Sequence, residues 1–164
     1  MVKQNSLRIF LIDDQKSVLE THRANIVVNF PDLEILDFVH AQYLQAELEL
    51  LEAENKLASK INLFLCDANI PGFSGEDPKL DDFTGVLQVI EKHRDQLGDF
   101  VFVLASRMVA EPKNPNARRY QFQSSNLEQI KAEHHNQTDI SKILKYAKGS
   151  LRAEQIKSLI TALT

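Results

Sequence analysis

The chain has 164 residues, 43% of them hydrophobic and 26% charged, which is the balance of one ordinary globular domain. Its formal charge of −4 argues against a nucleic-acid groove, because phosphate binding needs clustered Lys and Arg. Cys66 is the single cysteine, so no intrachain disulfide can form. Residues 1–6 show no signal core, and no run reaches the ~18 apolar residues of a membrane span. These features predict a cytoplasmic protein with no membrane segment.

Short apolar runs alternate with longer helical patterns, which predicts an α/β fold with a parallel sheet covered by helices. Residues 7–12 read as the first strand and run into Asp13-Asp14. Residues 16–29 follow as a helix with Val18, Leu19 and Ile26 on one face. Asn29-Phe30-Pro31-Asp32 reads as a turn, and residues 33–39 as the second strand. Residues 42–58 give the clearest helix, with Leu44, Leu48 and Leu51 on a shared face. The third strand, residues 61–66, ends at Asp67.

A stretch containing Gly and Pro, from Asn69 to Gly85, predicts a long loop. A helix over residues 86–96 places Val86, Val89, Ile90, His93 and Leu97 on one stripe. Residues 100–104 are rich in β-formers and read as a buried fourth strand. Pro112, Asn114, Pro115 and Asn116 make a poor helix, and residues 120–123 are a short candidate fifth strand. The tail carries two amphipathic segments separated at Gly149-Ser150. Ile140, Ile143, Leu144 and Ala147 line one, and Ile156, Leu159, Ile160 and Leu163 line the other.

In an open parallel sheet, functional groups collect beyond the carboxyl ends of the strands. Asp13 and Asp14 follow the first strand and Asp67 the third, so three carboxylates are expected to converge. Crowded carboxylates repel one another, and a divalent cation relieves that cost. An all-oxygen set of this kind suits Mg²⁺. A carboxylate beside such a cation can act as a nucleophile toward a phosphoryl group. Taken singly, each Asp reads equally well as a solvated loop residue or a helix N-cap.

Asp13-Asp14 and Asp67 resemble the acidic site of response-regulator receiver domains. Asp67-Ala68-Asn69-Ile70-Pro71-Gly72-Phe73-Ser74-Gly75 is similar to the family's segment after the phosphoacceptor, with Pro71 and Gly75 at the matching positions. The resemblance implies a doubly wound sheet of five parallel strands in the order 2-1-3-4-5. It also implies Mg²⁺ held by Asp13, Asp14, Asp67 and the backbone carbonyl of Asn69, with Asp67 phosphorylated by a histidine kinase or phosphotransfer protein. The switch residues would be Ser106, Tyr120 and Gln123. Residues 1–130 would form the receiver core, and residues 131–164 a C-terminal helical segment of a closing helix plus an extra helix. The output would be a downstream effector protein or output domain, and the extra helix could instead form a homodimer. No enzyme activity is implied beyond Mg²⁺-dependent self-phosphorylation and dephosphorylation of Asp67.

The chain departs from the family pattern at several places. Residues 76–84 read as an insertion beside the site, carrying Glu76, Asp77, Asp81 and Asp82. At the end of the fourth strand the family has Ser or Thr; strict alignment gives Ala105 here, and Ser106, followed by the bulky Arg107, is the preferred candidate. The usual Lys of the fifth strand is Gln123, which donates a hydrogen bond but carries no charge, and Lys113 is a remote substitute. Cys66 and His93 read as core residues, His134-His135 as a solvated helix end, and Lys142, Lys145 and Lys148 as a solvated face. Two other functions fit the same residues. One is a pseudo-receiver that binds partners without phosphorylation. The other is a phosphohydrolase with an Asp nucleophile, which the spacing of Asp13-Asp14-Gln15 disfavours.

Overall fold

The computed structural model describes residues 7–67, 84–104, 122–124 and 153–164. Four strands pair in parallel in the order β2-β1-β3-β4: β1 (Leu7–Ile12), β2 (Glu34–Phe38), β3 (Ile61–Cys66) and β4 (Phe100–Leu104). Around them stand α1 (Lys16–Asn29), α2 (Ala41–Ala53), α3 (Thr84–Lys92), α4 (Arg94–Leu97) and α5 (Ala153–Leu163). A parallel sheet needs cover on both faces, and its strands therefore read as nearly unbroken apolar runs.

Side-chain alternation divides the core into two layers. Leu7, Ile9 and Leu11 of β1 join Leu63 and Leu65 of β3 beneath Leu19 and Ile26 of α1 and Ile156, Leu159, Ile160 and Leu163 of α5. Phe10 and Ile12, with Phe64 and Cys66, face the other way, against Leu44, Leu48 and Leu51 of α2 and Val86, Val89 and Ile90 of α3. Phe10 and Phe64 stack there with ring centroids 4.5 Å apart. Among the described residues, no helix is long and apolar enough to cross a membrane.

Beyond shifts of one or two residues at element ends, the structure differs from the sequence expectation in three places. Helix α2 stops at Ala53 rather than near residue 58, because Asn55 takes a left-handed φ of 56°. The Lys56 amide then closes onto the Leu51 carbonyl at 2.9 Å, a Schellman-type end that Asn supports without glycine. The single helix expected over residues 86–96 is broken at His93 into α3 and α4, and Gly98, with φ 65°, turns the chain into β4. Residues Phe122–Ser124 (β5) lie beside β4 but antiparallel, which corrects the expected fifth parallel strand. A parallel neighbour requires a crossover, usually helical, and Pro112, Asn114, Pro115 and Asn116 lie in this connection; an antiparallel neighbour requires none. The first tail segment, residues 140–147, lies outside the described residues, whereas the second forms α5.

The amino end of the sheet holds a buried polar cluster. Arg8 of β1 is 1% exposed, and its guanidinium donates to Glu34 at 3.1 Å, the Asn62 side-chain oxygen at 2.9 Å and the Leu57 and Lys56 carbonyls at 3.3 and 3.2 Å. Asn62 donates in turn to the Leu57 and Leu97 carbonyls at 2.8 and 2.9 Å. Lys60 adds a second cation 2.9 Å from Glu34. This cluster joins β1, β2 and β3 to the turn after α2 and to the end of α4.

Candidate functional site

At the carboxyl end of the sheet the strand register does the assembling. Ile12 pairs with Cys66, so the next residues in each strand, Asp13 and Asp67, emerge side by side. The backbone ladder continues one step further. Asp67 N–H donates to the Ile12 carbonyl at 2.8 Å, and Asp13 N–H donates to the Phe38 carbonyl at 3.0 Å. Both backbones are therefore fixed by neighbouring strands. Carboxylate oxygens of Asp13, Asp14 and Asp67 lie within 4.8 Å of one another, and all three residues are half-buried.

The electrostatics follow from this crowding. Burial pushes the Asp13 carboxyl up to about 7; the Gln15 amide, donating to it at 2.9 Å, pulls the other way, and the negative charges of Asp67 and Asp14 push it further up. No basic side chain appears among these influences, in contrast to the Arg8 cluster. The Cys66 thiol is fully buried beneath the site, and burial, with Asp67 and Asp13 nearby, pushes its pKa well up, which suits a core residue rather than a nucleophile.

Asp13 and Asp67 open onto a narrow cleft walled by Leu11 and Leu65 of the strands, Leu19 and His22 of α1, and Ile156 of α5. Its inner room is that of about one water molecule. His22 was not among the residues that the sequence singled out. It sits on the inward stripe of α1 between Leu19 and Ile26, and burial lowers its pKa, so it is neutral at neutral pH. The 19-22-26 spacing was the signal for it, because a polar residue on a core stripe marks either a satisfied group or a site.

The structure thus brings together Asp13, Asp14 and Asp67. Asn69, Ser106 and Tyr120 lie outside the described residues, as do Ala105, Arg107, Lys113, His134-His135, Lys142, Lys145, Lys148 and residues 76–83 of the expected insertion. The backbone of Gln123 pairs with Phe102 in the middle of β4, whereas Asp67 stands beyond Cys66, the partner of Leu104. His93 is buried as expected, but only half satisfied: Nδ1 is 2.6 Å from Glu52, and Nε2 has no partner. Compared with known proteins, the chain matches no family model, no curated protein and no solved structure.

Proposed function

We propose that the chain is a receiver domain that takes a phosphoryl group on Asp67 and passes the signal on through a protein surface. The observation that carries this reading is the meeting of three carboxylates within 4.8 Å, at the ends of two neighbouring parallel strands. Burial, with the charges of Asp67 and Asp14, pushes the Asp13 carboxyl up to about 7. Such an all-oxygen set fits a hard divalent cation. Asp13, Asp14 and Asp67 would hold Mg²⁺, with the Asn69 carbonyl as a further ligand. Bound there, the ion would neutralise charge on the carboxylates and on the transferring phosphoryl oxygens.

The chain's own residues have these roles. The Asp67 carboxylate attacks phosphorus, a new O–P bond forms, and the bond to the donor breaks with its electron pair leaving on the donor atom. The Gln15 amide orients Asp13. Ser106 would donate to the phosphoryl group and Tyr120 would follow it in the switch. The donor would be a histidine kinase or phosphotransfer protein in the cytoplasm, and the recipient an effector protein or output domain. The helical C-terminus and the division at residue 130 belong to the same proposal.

A second reading is an interaction module of the same fold that works without phosphorylation. Gln123 favours it, since it lacks the charge of the family's Lys and pairs with the middle of β4. Intact mass after incubation with acetyl phosphate and Mg²⁺ separates the two. The receiver reading expects a gain of one phosphoryl group in the wild type and none in Asp67→Asn. No gain in the wild type, with Mg²⁺ binding intact, would give the second reading.

A further inference from the structure

Helix α2 carries two apolar stripes on opposite sides. Ala41, Leu44, Leu48 and Leu51 are buried in the core layer of Phe10 and Phe64. Tyr43, Ala46, Leu50 and Ala53 repeat the same alternation of three and four residues, and all are exposed, Tyr43 by 52% and Leu50 by 53%. A helix at the surface of a globular domain needs only one such stripe, the one that faces the core. Single exposed apolar side chains are ordinary, but these line up over about 15 Å of helix. The Tyr43 ring is also held in place, against His40 with ring centroids 3.7 Å apart.

The exposed stripe has the spacing of a coiled-coil seam, and in such a seam the flanking positions select the partner. Here those positions hold Gln42 and Glu49 on one side and Glu47 and Glu54 on the other. The helix itself contains no Lys or Arg. Lys92 and Lys56, from outside it, reach Glu49 at 3.7 Å and Glu54 at 2.8 Å. Both lysines are more than half exposed, and ion pairs of this kind contribute little. A second copy of α2 would set Glu against Glu along the seam, which is unfavourable. A helix with cations at its flanking positions would complement it.

We propose that the exposed stripe of α2 docks an amphipathic helix of a partner protein, one with apolar residues along its seam and Lys or Arg beside them. The partner's apolar side chains pack on Tyr43 and Leu50, and Ala46 and Ala53 let the two backbones come close. Its cations meet Glu47, Glu49 and Glu54. The docking site uses no residue of the acidic cluster, so it stands or falls independently of the receiver reading.

The probe is a synthetic peptide of about three heptads with Leu along the seam and Lys at the flanking positions, read by fluorescence anisotropy with the full chain at physiological ionic strength. Saturable binding is expected, about tenfold weaker in Leu50→Ser and in Glu47→Lys. It should be unchanged in Val28→Ser, which alters an exposed apolar residue of α1 instead. Melting curves show that each variant keeps its fold. The same peptide with Ser along the seam should not bind; equal binding by it would mean that charge alone attracts, and would overturn the docking site. No binding by the wild type, or equal binding by all three variants, would overturn it too. So would a wild-type dimer in sedimentation that Leu50→Ser dissociates, since a second copy would then hold the stripe.

Discussion

The two ends of the sheet carry opposite solutions to the same problem, which is charge at the edge of a dry core. At the amino end, burial works against ionisation of Glu34, but Lys60 and Arg8 more than offset it and hold the carboxyl below its usual range. The Arg8 guanidinium has four protein acceptors, and the Glu34 carboxylate lies between two cations. At the carboxyl end, Asp13, Asp14 and Asp67 crowd together and Asp13 is pushed up to about 7. A charge cluster that closes on itself serves the fold. One made of crowded like charges is relieved by an opposite charge, and that difference is what the proposed function rests on.

The sharpest way to break this comparison is to unbalance the closed end. Arg8→Met should cost about 3–5 kcal/mol in urea denaturation, because it leaves the Asn62 side-chain oxygen without its buried donor and takes one of two donors from Glu34 and from the Leu57 carbonyl. A loss below about 1 kcal/mol would show that the cluster is incidental.

The open end should show the reverse pH behaviour. Because the folded Asp13 carboxyl titrates near 7 against an ordinary value of 3.8, the folded state holds an extra proton between those values. Stability without metal should therefore fall as pH rises from about 4 to about 7 and then level off. With solvent screening at this half-exposed site, the fall should be on the order of 1–2 kcal/mol. Melting curves of the wild type and Asp13→Asn across this range check it, with the slope flatter in the variant. His22 works in the opposite sense, since its lowered pKa gives stability that is lost as pH falls, so the difference between the two proteins is the quantity to read.

Asp14→Asn should stabilise the metal-free protein by roughly 1 kcal/mol at pH 8 by relieving like-charge repulsion, and should weaken the rise in Tm that Mg²⁺ gives the wild type. The smallest effect expected is for Arg23→Ala. Its ion pair with Asp37 is partly exposed at 3.0 Å, so the loss should stay within about 1 kcal/mol by the same melting assay.

Much of the open end could be read from the sequence, because its signal is local: a strand that runs straight into an acid, twice. The parallel α/β sheet followed from the alternation of elements, and the order of its four parallel strands from the resemblance to receiver domains. The closed end was not legible. Arg8 reads as one polar residue in a strand, and its partners, Glu34, Asn62 and the Leu57 carbonyl, lie 26 to 54 residues away. The early end of α2 was missed because Asn55 takes the left-handed position where glycine would have been the signal. The break at His93 was hidden because α3 and α4 keep their apolar residues on one continuous stripe. The direction of β5 cannot be read from a three-residue strand, which pairs equally well either way.

The central proposal is that the Asp13–Asp14–Asp67 cluster binds a cation, and calorimetric titration with Mg²⁺ tests it most directly. The account predicts a single saturable site at pH 8 in the wild type, weakened at least tenfold in Asp13→Asn and Asp67→Asn and unchanged in Arg23→Ala. Equal binding by all four proteins, or none by the wild type, would contradict it.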